Sequence, residues 1–203
     1  TGGVAFVASP RPATSLARAP VLRASPATPS KDNDQDTAPL LAGKRVLVTG
    51  SSGGIGAAIA VALAGQGCRL VLHYHTREQG VLETKARCER AGGAVDGVVR
   101  ADFRSTRAVD DVWRHVDAVW PEGLFGLVNN AGVVTKKAAD ETSYDAFEAT
   151  MAINAHAPYR LACAAKARKA SRVLMISSVH GTRSVEWMSA YAASKAALDS
   201  LTA

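Results

Sequence analysis

Short apolar runs alternate with longer helix-forming stretches from about residue 43 to the end of the sequence. Each run is five or six residues long and rich in Val and Leu. Runs of this kind are typical of strands buried on both faces of a parallel sheet. Five strands are therefore predicted, at residues 45–49, 69–73, 95–100, 124–128 and 172–176.

The stretches between the apolar runs predict helices, and glycine or proline closes the first three of them. The helices are expected from the first glycine-rich turn to about residue 64, over about 78–90, 105–120 and 144–170, and from about 189 onward. Alternating strands and helices predict an α/β fold, a doubly wound Rossmann-type parallel sheet with right-handed crossovers.

Residues 1–42 differ in composition from the rest of the chain. They contain six of the eight prolines, and residues 1–30 carry three arginines and no acidic residue. Such a segment cannot bury a core, so we expect a disordered leader over 1–42 and a folded domain over 43–203. Arg- and Ser-rich leaders without acids are typical of organelle transit peptides, which predicts a plastid or mitochondrial protein. The alternative is a low-complexity extension of a cytoplasmic protein.

The formal net charge is +6, but the basic residues are scattered and are not interleaved with aromatic residues. This pattern disfavours a nucleic-acid partner and suits an anionic cofactor or an acidic carrier. No apolar run is long enough to span a bilayer, so no membrane partner is expected. The three cysteines, Cys68, Cys88 and Cys163, lack metal or redox spacing and are interpreted as reduced thiols.

A glycine-rich loop directly follows the first predicted strand and opens the first predicted helix. Its residues are Gly50, Ser51, Ser52, Gly53, Gly54, Ile55 and Gly56. Glycines here let the backbone approach a pyrophosphate, and the N–H groups at the helix start favour the anion. Glycines also serve ordinary turns, but this position between strand and helix predicts a dinucleotide-binding site.

The end of the second predicted strand indicates which dinucleotide to expect. A carboxylate there would bind the ribose 2′-hydroxyl of NAD, but residues 72–77 contain no acid. His75, Thr76 and Arg77 could instead hydrogen-bond a 2′-phosphate, so NADP(H) is predicted. His73 and His75 form an alternative metal pair, but no third ligand is in view and no metal site is predicted.

Tyr191 and Lys195 are four residues apart in alanine-rich sequence, which places both on one face of a helix. A lysine ammonium one turn from a phenol favours the phenolate, so this tyrosine could transfer a proton near neutral pH. Taken alone, such a pair more often belongs to an ordinary surface helix, and its interpretation depends on the rest of the chain.

Several motifs in order resemble the short-chain dehydrogenase/reductase family over about residues 43–203. TGSSGGIG at 49–56 resembles the glycine loop of the family, and NNAG at 129–132 matches the motif after its fourth strand. Asn154, Ser178, Tyr191 and Lys195 fall where the family carries its catalytic Asn-Ser-Tyr-Lys set. The resemblance implies strand order 3-2-1-4-5, with the later strands of the family absent from this chain.

The resemblance also implies a role for each matched residue. Tyr191 would donate a proton to a ketone oxygen while the ketone carbon receives hydride, and Ser178 would stabilise the charge on that oxygen. Lys195 would activate Tyr191 and bind the nicotinamide ribose, and Asn154 would hold a relay water. The remaining cofactor contacts would come from the glycine loop, the second-strand end and the residues that match the family's adenine and NNAG positions, namely Tyr74, His75, Thr76, Arg77, Asp102, Phe103, Asn130, Ala131 and Gly132.

Pro158 lies four residues after Asn154 and has no N–H to donate to the Asn154 carbonyl. If the region is helical, that carbonyl is left without its helical partner and the helix should kink. A free carbonyl would suit a relay water. The alternative is an asparagine at an ordinary helix break.

Within the family, the glycine loop, Tyr74 in place of the usual acid, and residues 178–181 most resemble the NADPH-dependent 3-oxoacyl-[acyl-carrier-protein] reductases. This implies reduction of a 3-oxoacyl thioester in fatty-acid synthesis, with a small-molecule or carrier-bound ketone as substrate. Reductases of sugars, steroids and quinones share these motifs, and a non-catalytic NADPH-binding scaffold is a further alternative. His180 and Arg183 would contact an acidic carrier or be surface residues.

The sequence also departs from the family pattern. The interval from Asn154 to Ser178 is about one helical turn shorter than the family usually shows, which leaves their relative placement open. The family continues past the last residue of this chain with further strands and a substrate-covering loop, so we expect a fragment that turns over inefficiently. The alanine-rich helices at 144–170 and from 189 resemble the family's dimer surfaces, which implies a homodimer or homotetramer for the complete protein.

Overall fold

The structure, a computed structural model, describes residues 39–202. The predicted leader lies outside the described residues except for 39–42, so its disorder and its targeting role stay predictions. In the part that is described, Ala42 donates a backbone hydrogen bond of 2.9 Å to Pro39, and Leu41 packs half-buried against the core. The last four residues assigned to the leader therefore belong to the folded domain.

Five parallel strands form one sheet within residues 39–202, which confirms the predicted doubly wound α/β fold. The strands are β1 (Arg45–Val48), β2 (Arg69–Tyr74), β3 (Ala94–Arg100), β4 (Gly126–Asn129) and β5 (Arg172–Met175). Their order in the sheet is β3-β2-β1-β4-β5. The register pairs Leu47 of β1 with Val71 of β2 and Leu127 of β4, so apolar side chains line up across the central strands.

Six α-helices accompany the strands in the same residues. They are α1 (Gly54–Gly65), α2 (Glu78–Arg90), α3 (Ala108–Val119), α4 (Tyr144–Met151), α5 (Ala157–Ala167) and α6 (Ser189–Ser200). The third helix begins later than predicted, because Ser105 donates to the carbonyl of Asp102 in a separate turn before it.

The helical region predicted over 144–170 is interrupted, because a π-helical segment, Ala152–His156, separates α4 from α5. Within it the N–H of Ala157 donates to the carbonyl of Ala152, five residues back rather than four. Pro158 lies in the first turn of α5 and cannot supply an N–H to a regular α-helical ladder. The irregularity predicted at Asn154 therefore takes the form of a widened turn.

The core has two layers, one on each face of the sheet. Leu47 and Leu127 join side chains of α3 and α5 in the first layer, whereas Val46 and Val48 join those of α1 and α2 in the second. Successive strand residues point to opposite faces, so each central strand must be apolar at every position to fill both layers. This is why continuous apolar runs predicted these strands.

Other features of the described residues bear on partners and metals. None of the helices between residues 39 and 202 has the length and hydropathy needed to cross a membrane. No group of three potential metal ligands lies together in the same part of the chain. The three cysteines are free thiols, of which Cys68 and Cys88 are buried and Cys163 is exposed.

His73 is a buried histidine at the carboxyl end of β2, with 2% of its surface exposed. Its Nε2 lies 3.1 Å from the carbonyl oxygen of Ala101, and its Nδ1 lies 3.2 Å from the backbone N–H donor of Gly50. Because one nitrogen accepts and the other faces a carbonyl, the ring is neutral with its proton on Nε2. Both nitrogens are committed to backbone groups, which leaves neither for the alternative metal pair with His75. Burial lowers the pKa of His73 from 6.5 to about 4.

The buried neutral His73 predicts a loss of stability in mild acid. The unfolded chain takes up a proton on this histidine near pH 6.5, whereas the folded chain takes it up only near pH 4. The contribution of His73 to the free energy of unfolding should be constant above pH 6.5 and fall by about 3 kcal/mol between pH 6.5 and 4. Urea unfolding followed by circular dichroism across this range measures the fall.

The control is His73→Asn, which removes the titrating group. Between pH 6.5 and 4, the free energy of unfolding of this variant should lack the fall of about 3 kcal/mol that His73 causes in the wild type. An identical pH dependence in the two proteins would contradict a buried neutral imidazole.

Candidate active site

The carboxyl ends of the strands from β3 to β4 line a cleft of about 420 Å³ at one edge of the sheet. The chain order reverses between β1 and β4, and ligands of open α/β sheets bind at such a point. The cleft wall consists of Gly50, Ser52, Gly53, Ile55, His73, His75, Thr76, Arg77, Ala101, Asp102, Phe103, Asn130, Ala131, Gly132, Val133 and Ile153. Most of the predicted cofactor residues are therefore brought together.

A second, larger groove of about 680 Å³ lies along the π-helical segment and α5. Its wall is mainly apolar, and Phe103 is the only predicted site residue that it contains. Size alone therefore does not identify the site, because the residues with candidate chemistry lie at or beside the smaller cleft.

Gly50 is held from both sides at the start of the glycine loop. Its φ is +65°, a left-handed conformation that glycine adopts without strain. Its N–H donates to His73 Nδ1, and its carbonyl accepts a hydrogen bond of 3.0 Å from Asn130 Nδ2. A side chain here would also clash, since its Cβ would lie 2.7 Å from the Cα of Ala131. The turn is thus fixed by β2 on one side and β4 on the other.

Ser51 and Gly56 complete the loop without lining the cleft. Ser51 is buried, and its backbone N–H and hydroxyl donate to the carbonyl of His73 at 2.9 and 3.1 Å. Gly56 lies in the first turn of α1, where a Cβ would come within 2.3 Å of the carbonyl oxygen of Gly50. Glycine at this position lets α1 start directly against the loop. The first turn of α1, whose N–H groups lack partners within the helix, therefore borders the cleft.

The end of β2 brings basic and polar side chains to the cleft. His75 is half-buried, and Thr76 and Arg77 are exposed. Arg77 lies across the glycine loop, because a Cβ added to Gly53 would be 3.0 Å from its guanidinium. Tyr74, predicted as a cofactor residue, instead packs in the second core layer with 8% of its surface exposed, since neighbouring strand residues face opposite sides.

Asp102 follows β3 and lies beside these basic groups. Its carboxylate accepts a hydrogen bond of 2.7 Å from the guanidinium of Arg104 and lies 3.5 Å from His75 Nε2. The hydrogen bond from Arg104 is the main cause that holds the pKa of Asp102 below its usual range. The negative charge of this carboxylate is therefore compensated within the site.

Asn154 lies fully buried in the π-helical segment. Its Oδ1 accepts from the N–H of Val133 at 2.8 Å, and its Nδ2 donates to the carbonyl of the same residue at 2.9 Å. The second Nδ2 hydrogen bond, 3.0 Å long, goes to Ser194 Oγ. The carboxamide therefore ties the loop after the NNAG motif to α6.

Tyr191 and Lys195 lie one turn apart on α6, as predicted. Lys195 is 5% exposed, its Nζ donates to the carbonyl of Ile176 at 2.7 Å, and it lies 5.8 Å from the centre of the Tyr191 ring. Burial lowers the pKa of Lys195, and the carboxylate of Asp199 partly offsets this. The ammonium borders the cleft through Gly132, where an added Cβ would lie 3.8 Å from Nζ.

Ser178 begins the short 3₁₀ turn Val179–Gly181, and its Oγ accepts from the N–H of His180 at 3.2 Å. Ser177 is directed elsewhere, since its Oγ donates to the carbonyl of Lys195 at 3.5 Å. The ring of His180 packs edge-on against Tyr191, with the ring centres 6.2 Å apart. The serine turn and the Tyr-Lys turn are therefore neighbours.

Sequence reasoning missed two residues that build this site. His73 entered it only as an alternative metal ligand, and Ser194 did not enter it. A polar residue at the end of the strand beside a glycine loop is the signal that could have identified His73. Ser194 carries no such signal, because its role depends on Asn154, which lies 40 residues away in the chain.

The comparisons with known proteins agree with the fold and with the motifs. The family model for short chain dehydrogenases matches residues 44–203. The 3beta-hydroxysteroid dehydrogenase 1 of Eggerthella lenta is 33% identical over 173 residues, which cover 80% of this chain and 63% of that protein. The chain spans about three fifths of the length of the curated relatives that it matches first.

Two solved ketoreductases have the same fold. The promiscuous reductase LugOII, which catalyses keto-reduction in lugdunomycin biosynthesis, superimposes with a TM-score of 0.75 at 33% identity, covering 82% of this chain and 71% of its own. The angucycline C-6 ketoreductase LanV, solved with bound NADP, gives a TM-score of 0.73 at 31% identity and covers 79% and 65%. With the family model matched over most of its length, this chain belongs to the short-chain dehydrogenase family.

Proposed function

We propose that this chain carries the cofactor-binding and catalytic residues of an NADPH-dependent ketone reductase. One observation carries the proposal. Lys195 lies one turn from Tyr191, and its ammonium is next to Gly132, which lines the cleft beside the glycine loop. Burying an ammonium costs solvation energy, so a buried lysine beside a tyrosine favours a catalytic pair over an incidental one. A non-catalytic NADPH-binding scaffold would not require that pair.

The cleft suits the pyrophosphate of a dinucleotide. The N–H groups of Gly50 and Ser51 are already bonded to His73, so the anion would bind the partner-free N–H groups in the first turn of α1. Asn130, Ala131 and Gly132 would face the nicotinamide half across the cleft. The likeness to LanV, solved with NADP, supports this assignment.

The end of β2 suits a 2′-phosphate, which favours NADP(H) over NAD(H). Arg77 is exposed beside Gly53, and Thr76 and the half-buried His75 line the same cleft. The carboxylate of Asp102 is paired with Arg104, so its repulsion of a phosphate is compensated. Asp102 and Phe103 would border the adenine.

NADPH, when bound, supplies the hydride that the ketone carbon accepts. Tyr191 would donate its phenolic proton to the ketone oxygen as negative charge develops there. Ser178 Oγ accepts from the N–H of His180, which leaves its own hydrogen to donate to that oxygen. Lys195 gives one N–H to Ile176, so its other N–H groups would support the phenolate and bind the nicotinamide ribose.

Proton resupply would pass through the backbone of Asn154. Both side-chain N–H groups of Asn154 are donated, to Val133 and to Ser194, so the side chain has none to offer a water. Its carbonyl lies where the ladder shifts to π-helical spacing, and Pro158 cannot donate to it. A relay water would bind this carbonyl and lead to Lys195.

As substrate we propose a 3-oxoacyl thioester, free or bound to an acyl carrier, that is reduced to the 3-hydroxyacyl form in fatty-acid synthesis. His180 against Tyr191, the exposed Arg183 and the net charge of +6 would suit an acidic carrier. A polycyclic ketone is the second candidate, favoured by the likeness to a hydroxysteroid dehydrogenase and to LugOII and LanV. Rates of NADPH oxidation with acetoacetyl thioester and with a steroid ketone separate the two.

Assembly and location belong to the same proposal. The complete protein would be a homodimer or homotetramer, because Tyr144, Phe147 and Tyr159 on α4 and α5 expose large aromatic surfaces. A plastid or mitochondrial location would follow if residues 1–42 act as a transit peptide.

Tyr191→Phe should abolish ketone reduction while leaving NADPH binding nearly intact. The substitution removes the proton donor and keeps the ring that packs against His180. We expect the rate of NADPH oxidation by the full-length protein to fall about a thousandfold, with the NADPH dissociation constant changed by less than about twofold. The control is Tyr159→Phe on α5, which should keep full activity. Full activity in Tyr191→Phe would rule out the mechanism.

Arg77→Ala should weaken NADPH binding and leave NADH binding unchanged. Losing a charge-assisted hydrogen bond to the 2′-phosphate should raise the NADPH dissociation constant by about 10- to 100-fold, as measured by nucleotide fluorescence. Arg87→Ala, an exposed arginine in the last turn of α2, is the matched control and should change neither constant. Comparable affinity for both nucleotides, unaffected by Arg77→Ala, would contradict the assignment.

A further inference from the structure

The glycine loop has a second side-chain anchor besides the asparagine of the NNAG motif. Asn130, at the end of β4, donates from Nδ2 to the carbonyls of Thr49 and Gly50, at 3.0 Å each. On the opposite side His73, at the end of β2, accepts the N–H of Gly50 at 3.2 Å. Both backbone polar groups of Gly50 are therefore hydrogen-bonded: its N–H to the side chain of His73, and its carbonyl to the side chain of Asn130.

His73 is itself rigidly placed. Its Nε2 lies 3.1 Å from the carbonyl of Ala101 at the end of β3, and its ring stacks on Phe103 with the ring centres 4.4 Å apart. Its own carbonyl accepts both the N–H and the hydroxyl of Ser51. One buried side chain therefore connects the ends of β2 and β3 to the loop that follows β1.

These contacts determine which N–H groups of the loop can meet an anion. The N–H groups of Gly50 and Ser51 turn back toward β2, so the cleft is left to the N–H groups that follow them at the start of α1. Without the acceptor Nδ1 of His73, the N–H of Gly50 would have no hydrogen-bond partner in a partly buried position, which is unfavourable. The residue has φ of +65° and no Cβ to restrain it, so the loop could then reorient.

We infer that His73 is a positioning residue, which holds the glycine loop in its phosphate-binding shape by accepting the Gly50 N–H on Nδ1 while Nε2 carries the proton. The inference rests on the proposed cofactor role of the loop. Although His73 lies on the cleft wall, both of its ring nitrogens are committed to backbone groups, so it acts through Gly50 rather than by touching the nucleotide.

Three substitutions separate the two hydrogen bonds of the ring. His73→Asn keeps an acceptor near the position of Nδ1, His73→Gln keeps a donor near the position of Nε2, and His73→Leu removes both. NADPH dissociation constants of the whole chain should rise at least about tenfold for His73→Gln and His73→Leu, and less than about threefold for His73→Asn. Wild-type affinity in His73→Gln, or equal losses in His73→Asn and His73→Leu, would overturn the inference.

The variant Cys88→Ala is the control for a loss of NADPH affinity that comes only from general destabilisation. Cys88 is fully buried on α2, away from the loop, so its truncation should lower the free energy of unfolding without changing the NADPH dissociation constant. A comparable loss of NADPH affinity in Cys88→Ala would overturn the specific role of His73.

Nuclear magnetic resonance tests the inference without any nucleotide. Long-range nitrogen–proton correlations should show the proton of neutral His73 on Nε2, and the Gly50 amide should exchange at least about tenfold faster in His73→Gln than in His73→Asn. A proton on Nδ1, or equal exchange in the two variants, overturns the inference. If the wild type fails to bind NADPH, the cofactor proposal fails, and these two observations still decide the role of His73.

Discussion

The cleft at the carboxyl edge of the sheet depends on how the backbone of Gly50 is fixed between the ends of β2 and β4, the two strands that flank β1. β1 ends in a turn that only glycine enters without strain, and the side chains of His73 on β2 and of Asn130 directly after β4 hold its N–H and its carbonyl. The start of α1 can then lie directly against the loop, because Gly56 leaves no Cβ in the way. The parallel sheet therefore gives this edge a fixed loop, on which the proposed phosphate site depends.

Burial of Lys195 links this surface to the candidate chemistry. An ammonium that is 5% exposed must be compensated: it donates a hydrogen bond to the carbonyl of Ile176, and the negative charge of Asp199 partly offsets the effect of burial. Asn154 and Ser194 connect the same turn of α6 to the loop beside Gly132. Cofactor cleft and Tyr-Lys pair are thus parts of one hydrogen-bonded structure rather than two separate sites.

The sequence predicts the sheet well because a strand buried on both faces must be apolar at every position. It also predicts the glycine loop and the Tyr-Lys turn, since short-range spacing brings the residues of each together. Tyr74 is assigned to the cofactor by the family resemblance, which does not show which face of β2 it occupies, and its ring lies in the core. Pro158 predicts a break in the helix but not its π-helical form, because the proline removes a donor without specifying how the hydrogen-bond ladder rearranges. The hydrogen bond between His73 and Gly50 could not be predicted from the sequence, because the two residues are 23 positions apart and only the fold brings them together.

A crystal structure of the full-length protein with NADPH tests the central claim most directly, because it locates both ends of the nucleotide against this framework. We expect the 2′-phosphate within hydrogen-bonding distance of Arg77, the pyrophosphate at the first turn of α1, and the nicotinamide ribose on the Nζ of Lys195 with the ring facing Tyr191. A 2′-phosphate bound away from the end of β2, or a nicotinamide remote from the Tyr191 hydroxyl, would contradict it.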